Sequence, residues 1–229
     1  MNSQITADDT LMMMLAARHA VVYDLDVKRL IKVRETCDAV VRVQEGTEVI
    51  CDDAFRGNKT VRRVVLPSTV RSIGKNAFAG CVNLQDVIFP SHLEDIGEGA
   101  FAGCGLNLIE LEPAEGVTCT VHAKAFAGCP NLSDVFLHKG VMLEGHMTFA
   151  DSKRLKRVYF QETGQCTHEA MSTMFLGCDN LDAIFVPHDD GPLYQFNSEG
   201  YDTEGHAHCD FTPLIDFPEL YGEDKWWEM

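Results

Sequence analysis

The sequence predicts a repeat solenoid of α+β, β-rich class, built from about six units of 23 to 26 residues that stack one parallel β-sheet face. Three observations predict it. A turn of Ala-Phe, a small residue, Gly and Cys recurs along the chain; an L-x-x-L-x-L run lies between successive turns; and a proline follows most of those runs.

The turn is clearest at Ala77-Phe78-Ala79-Gly80-Cys81, Ala100-Phe101-Ala102-Gly103-Cys104 and Ala125-Phe126-Ala127-Gly128-Cys129. Weaker copies centre on Phe55, Phe149 and Phe175, so the phenylalanines are spaced 23, 23, 25, 23 and 26 residues apart. The intervening runs are Val61-Val64-Leu66, Leu84-Val87-Phe89, Leu106-Ile109-Leu111, Leu132-Val135-Leu137, Leu155-Val158-Phe160 and Leu181-Ile184-Val186. Alternation at the last two positions of each run predicts a short strand with one buried face. Pro67, Pro90, Pro113 and Pro187 follow, where a residue without an N–H ends the ladder and turns the chain.

These residues resemble the BspA-type leucine-rich repeats, and the best copy runs from Leu84 through Pro90, Ile96 and Gly97 to Ala100-Phe101-Ala102-Gly103-Cys104. The resemblance covers about Val40 to Pro187. The fifth unit departs from it, with Glu144 at an apolar position and Ser152 for Cys, and so does the sixth, with an insertion around Gln161 to Met171. The resemblance implies a curved solenoid of stacked units and binding of other proteins. It also implies, as an alternative, an adhesin-like role at the cell surface, since many such relatives are exported.

One unit cannot bury its own Leu, Val, Ile and Phe, but stacked neighbours join them into one core with the phenylalanines as a spine. The ends need covers. Residues 1–39 are expected to cap one end: Thr6 and Asp9 mark the start of a helix over Ala7 to His19, and the Val21 to Val33 stretch suggests a hairpin around Asp24 to Lys28. The repeat domain is expected over 40–187 and an acidic, aromatic C-terminal cap over 188–229.

The 229 residues are 45% apolar and 24% charged, enough for one sizeable core. A formal charge of −16 repels nucleic acid and anionic lipid alike, so neither is expected as a partner. The segment from His188 to Met229 carries −10 of that charge and eight of the twenty aromatic residues. A solvated acidic tail is usually poor in aromatics, so this one is expected to pack on something.

Four of the nine cysteines (Cys81, Cys104, Cys129, Cys178) fall at one repeat position, which Asn58 and Ser152 fill elsewhere. A buried turn that needs a small side chain able to bond to backbone explains that column, so free buried thiols are expected. Free thiols, and a start without Lys or Arg before the short apolar run Leu11 to Ala17, favour a cytoplasmic location; a surface or secreted location reached without a signal peptide is the alternative. No nucleophile elbow, phosphate loop or H-E-x-x-H occurs, so no catalytic residue and no cofactor are expected. His206, His208 and Cys209 form the one candidate metal cluster, and without a C-x-x-C pair they fit polar loop residues better; a protein stabilised by metal there is a further alternative.

Alternation then assigns the outward positions. The central column reads Arg42, Val65, Ile88, Glu110, Phe136, Tyr159 and Phe185, and the preceding one Arg63, Asp86, Leu108, Asp134, Arg157 and Ala183. A row of outward aromatics marks a contact surface. Three occupants compete: the acidic tail folded back with Arg157 and Lys156 facing its carboxylates, a second copy forming a homodimer, or a foreign protein bound to the monomer. The expected binding set for a protein partner is Val65, Ile88, Phe136, Tyr159 and Phe185, with Arg63, Asp86, Asp134 and Arg157 at the rim.

Overall fold

The computed structural model describes residues 3–15, 20–162, 165–166, 173–188 and 191–196. It is a solenoid in which the rungs from Val40 to Leu143 each contribute two short strands. The L-x-x-L-x-L runs form β3 (Val40–Arg42), β5 (Arg63–Val65), β7 (Asp86–Ile88), β9 (Leu108–Leu111), β11 (Asp134–Leu137), β13 (Arg157–Phe160) and β14 (Ala183–His188). A second row contains β4 (Val49–Ile50), β6 (Ser72–Ile73), β8 (Asp95–Ile96), β10 (Cys119–Val121) and β12 (Val141–Leu143). The expected parallel sheet face is present, and a second parallel row lies beside it. Strands of two or three residues are too short for a period-two signal, which is why the second face is not visible as alternation.

The second face is continuous and extends onto the N-terminal hairpin of β1 (Val21–Tyr23) and β2 (Arg29–Val33), in the order β1-β2-β4-β6-β8-β10-β12. The first face is split into β3-β5-β7 and a five-stranded part reaching from β9 to β15 (Gly191–Phe196). The split coincides with a deletion. Two residues separate the Cys-column residue from the following Leu or Val in the other units, whereas Gly105 alone separates Cys104 from Leu106. The missing residue is the one that, as Asn83, Asn131 and Asn180, donates its side-chain amide to a carbonyl of the preceding rung.

The turns stack with their own ladder. Phe78 N–H donates to Ala100 O at 2.7 Å, Phe101 N–H to Ala125 O at 2.7 Å and Phe126 N–H to Thr148 O at 2.9 Å, and the turn residue two later repeats the pattern. That residue has positive φ, which explains Gly57, Gly80, Gly103, Gly128 and Gly177. In the divergent fifth unit Asp151 takes the same conformation at φ 58°, a region that Asp tolerates better than most residues. Inside, the six phenylalanine rings stack from Phe55 to Phe175 with centroids 4.4 to 5.8 Å apart. Each column residue beside them donates to the carbonyl of the previous rung's Phe: Cys81 to Phe55 (3.1 Å), Cys104 to Phe78 (3.0 Å), Cys129 to Phe101 (3.4 Å), Ser152 to Phe126 (3.3 Å) and Cys178 to Phe149 (3.2 Å). Burial pushes the Cys129 and Cys178 thiols up to about 12, so they stay protonated donors at neutral pH. The eight cysteines among the described residues are all free, as the column argument requires.

At the N-terminus α1 (Ala7–Leu15) begins with a reciprocal cap: Thr6 N–H and hydroxyl both donate to Asp9 Oδ2 at 2.8 Å, and Asp9 N–H donates back to Thr6 Oγ1 at 3.2 Å. Residues 16–19 of the expected helix lie outside the described ones. Arg29 on β2 holds the same carboxylate at 2.8 Å and the Gln4 carbonyl at 2.7 Å, pinning the helix to the hairpin. Burial raises the Asp9 pKa, but the Thr6 bonds and Arg29 outweigh it, leaving it below the ordinary carboxylate value. A carboxyl with a folded pKa below its unfolded one contributes stability above the unfolded value and loses it as pH falls through the folded one. Hydrogen exchange followed as the pH falls below the ordinary carboxylate range is therefore expected to show α1 losing protection while the Phe78 and Phe101 amides keep theirs; simultaneous loss in both would refute it.

At the other end β14 pairs antiparallel with β15, so the sheet continues past the expected boundary at 187. Pro187 lies within β14 rather than after it, and the register shifts between Val186 and His188, where the ladder lacks a donor.

Candidate functional site

The strand registers join the outward positions into columns. Arg42, Val65 and Ile88 are aligned across β3, β5 and β7, and Glu110, Phe136, Tyr159 and Phe185 across β9, β11, β13 and β14. The split between β7 and β9 divides the expected stripe into an aliphatic N-terminal part and an aromatic C-terminal part.

The aromatic part is a stack. Phe136 and Tyr159 lie with ring centroids 4.6 Å apart and planes parallel, and Tyr159 and Phe185 are also 4.6 Å apart with planes 4° from parallel. Parallel strands repeat every 4.8 Å or so, close to the spacing of stacked rings, so aromatics at one register position in adjacent rungs meet face to face. All three side chains are half-buried because each covers its neighbour's face. What remains for a partner is the row of ring edges, which carry the positive end of the ring quadrupole. Ile88 on β7, across the split, is 63% exposed, Leu108 on β9, at the edge of the aromatic part, is 48% exposed, and Val65 is half-buried.

The expected rim residues bind each other. Arg63 Nε meets Asp86 Oδ2 at 2.7 Å and Arg157 Nε meets Asp134 Oδ1 at 2.6 Å, both along the register of neighbouring strands. Exposed pairs of this kind contribute about 0–1 kcal/mol each. They hold the charges in place beside the apolar column.

A family profile described as BspA type leucine rich repeat region matches residues 48–182 in six copies. The chain belongs to this family. Proteins built from these repeats are in general protein-interaction modules. Among solved structures, the T. pallidum leucine-rich repeat protein TpLRR is 26% identical with a TM-score of 0.57, covering 72% of this chain and 77% of that one. The pneumococcal vaccine antigen PcpA is 19% identical with a TM-score of 0.57 over 74% of this chain, and a leucine-rich cell surface protein from Faecalibacterium prausnitzii is 24% identical with a TM-score of 0.52 over 74%. The present chain spans 41% and 38% of those two proteins, and at such identity they carry the fold alone. No curated protein matches the sequence.

The BspA-type solenoid also brings together a group that alternation does not reveal. Glu110, Glu112 and His138 offer ligand atoms within 4.8 Å of one another, with His138 Nε2 3.3 Å from Glu110 Oε1. A carboxylate on β9, a second one residue beyond its end, and a histidine one residue beyond Leu137, which is level with Leu111, could hold a divalent cation. The visible signal is the pair Glu110 and Glu112, two residues apart at the end of β9; the link from Glu112 to His138, 26 residues later, needs the register. The sequence candidates His206, His208 and Cys209 lie outside the described residues. Burial pushes the Cys51 and Cys166 thiols up to about 11, which disfavours thiolate chemistry there. Among the described residues no helix is long and apolar enough to cross a membrane.

Proposed function

We propose that this chain is a non-enzymatic protein-binding module whose contact surface is the first sheet face, centred on Phe136, Tyr159 and Phe185. The observation that carries the reading is the stack of these three rings on the outward side of adjacent strands. Aromatic side chains spend outward positions on apolar area that a strand facing only water does not need. Ile88 and Leu108 extend the apolar area, while Val65 lines the column and the pairs Arg63–Asp86 and Arg157–Asp134 orient a partner by charge.

The test is affinity capture with the intact chain and with Phe136→Asp/Tyr159→Asp, followed by measured affinity for whatever the intact chain retains. Two buried charges placed against an apolar contact are expected to weaken binding at least 100-fold, roughly 3 kcal/mol. Equal retention by both proteins, with unchanged thermal unfolding, would remove the stack from the site.

A second reading concerns place rather than chemistry. The eight cysteines among the described residues are free, which suits a reducing compartment and supports a cytoplasmic module. Two proteins of the same fold are named as a vaccine antigen and a cell surface protein, and an adhesin-like role at the surface is the alternative to be tested. Cell fractionation, with surface protease treatment of intact cells, separates the two.

A further inference from the structure

We propose that the aromatic stack and the basic corner beside it are a docking site for an acidic, aromatic segment, and that its occupant is this chain's own residues 197–229. The proposal rests on the same face as the protein-binding reading and supplies its regulation: a partner would have to displace the tail.

The corner is the run Lys153-Arg154-Leu155-Lys156-Arg157, four basic residues in five, leading directly into β13. Leu155 is buried and the four cations are exposed. Another basic run, Lys28 to Arg34, is held within the fold: Lys28 by Glu48, Arg29 by Asp9, Lys32 by the Asp53 carbonyl and Arg34 by the Met13 carbonyl. At the corner the ties are looser. Lys153, with 70% of its side chain exposed, is 3.9 Å from Asp179, and Arg154 is 3.5 Å from the Asn131 side-chain oxygen. Arg157 is bound to Asp134, and Asp182 on the next rung follows the corner by donating its N–H to the Lys156 carbonyl.

The chain is delivered to this corner. β15 runs antiparallel to β14, so Phe196 is level with Ile184, which is level with Val158 on β13. The chain therefore leaves the sheet beside the end of β13 that carries Lys156 and Arg157. Two strand spacings, about 10 Å, separate β15 from β13. The tail that follows has 33 residues, and an extended chain covers up to about 3.3 Å per residue, so reach does not limit it.

Its chemistry matches the surface. Residues 197–229 contain nine acidic residues and one basic one, and aromatics adjoin acids at Tyr201-Asp202, Asp210-Phe211, Asp216-Phe217 and Trp227-Glu228. The face sets a row of aromatic edges next to a row of cations. An aromatic on the stack and its neighbouring carboxylate at Lys153, Arg154 or Lys156 are satisfied together, and ring edges themselves favour negative charge. Attachment about 10 Å from the corner gives the tail a high effective concentration there, which favours docking within the chain over exchange between copies.

The chain reports on its own tail, because both of its tryptophans, Trp226 and Trp227, lie in it. Acrylamide quenching of tryptophan fluorescence is measured on the intact chain, on Lys153→Glu/Arg154→Glu/Lys156→Glu, on Tyr159→Ala, and on a synthetic 197–229 peptide. Expected is quenching several-fold weaker in the intact chain than in the peptide, independent of protein concentration. Either variant, with thermal unfolding unchanged, is expected to bring quenching up to the peptide's level. Quenching of the intact chain equal to the peptide's would overturn the proposal. So would protection that neither variant disturbs, which places the tail elsewhere, and protection that fades on dilution, which places it on a second copy. None of these readings requires a foreign partner, so failure here leaves the protein-binding proposal standing, and failure of the capture experiment leaves this one.

Discussion

Phe101→Ala is expected to destabilise the chain by about 3–5 kcal/mol, the range for removing a fully buried aromatic ring. Phe101 is fully buried and lies 4.8 Å from the Phe78 ring and 5.3 Å from that of Phe126, with Phe89 standing edge-on at 5.4 Å. The rungs on both sides are held at their separation by turn-to-turn hydrogen bonds, so the cavity cannot close by collapse. A solenoid gains its cooperativity from contacts between neighbouring rungs, and a gap at a central rung weakens both interfaces at once. Phe136→Ala, by contrast, removes a half-buried outward ring and should cost about 1 kcal/mol. Urea unfolding of both variants checks the pair: a Phe101→Ala loss no larger than that of Phe136→Ala would contradict the Phe spine as the source of stability.

The second large effect comes from adding one carbon. Gly145, four residues before Phe149, lies so close to the preceding rung that a Cβ would overlap the backbone of His122 and Ala123. Gly97 occupies the equivalent place, where a Cβ would come within 2.8 Å of Lys75 N and 2.9 Å of Gly74 C. These neighbours are backbone atoms tied into ladders, Glu144 N–H to Val121 O and Gly97 N–H to Ile73 O among them, so neither side can move without breaking bonds. Gly145→Ala is expected to cost about 3 kcal/mol, a fall in melting temperature of roughly 6–12 °C for a chain of this size. Gly46→Ala is the control, since Gly46 has φ 91° but nothing within 4 Å of its Cβ position, and about 1 kcal/mol is expected there. Calorimetry in which both substitutions lower the melting temperature equally would show that backbone conformation, not the closeness of rungs, sets the cost.

Much of the fold was legible because a repeat writes the same physical requirement several times. Phe78, Phe101 and Phe126 announce the spine, and the Cys, Asn and Ser at the column position announce a buried turn that needs a small polar donor. The cap was legible in Thr6 and Asp9 for the same reason, since both partners are three residues apart. The second sheet face was not, because Val49–Ile50 and Ser72–Ile73 are two-residue strands without room for an alternating pattern.

The candidate site divides along the same line. Which residues point outward followed from strand alternation, and the structure places Phe136, Tyr159 and Phe185 in one column at the predicted register. That their rings stack face to face, leaving edges rather than faces for a partner, depends on the rung spacing. The split beside Gly105 turns one expected stripe into two parts, and it coincides with a single missing residue where β7 would meet β9. The meeting of Glu110 and Glu112 with His138, and the return of β15 toward the corner at Lys156, likewise join positions more than twenty residues apart.

By itself, then, the sequence determined the repeat, its period, its buried spine and the direction of the first-face strand residues, because each of these is a local pattern imposed by burial. The tertiary structure alone decided which rungs pair, where the sheet parts and which side chains face one another across rungs. Those depend on the distance between chain segments that are remote in sequence, and one residue more or less in a turn changes it without altering any local pattern.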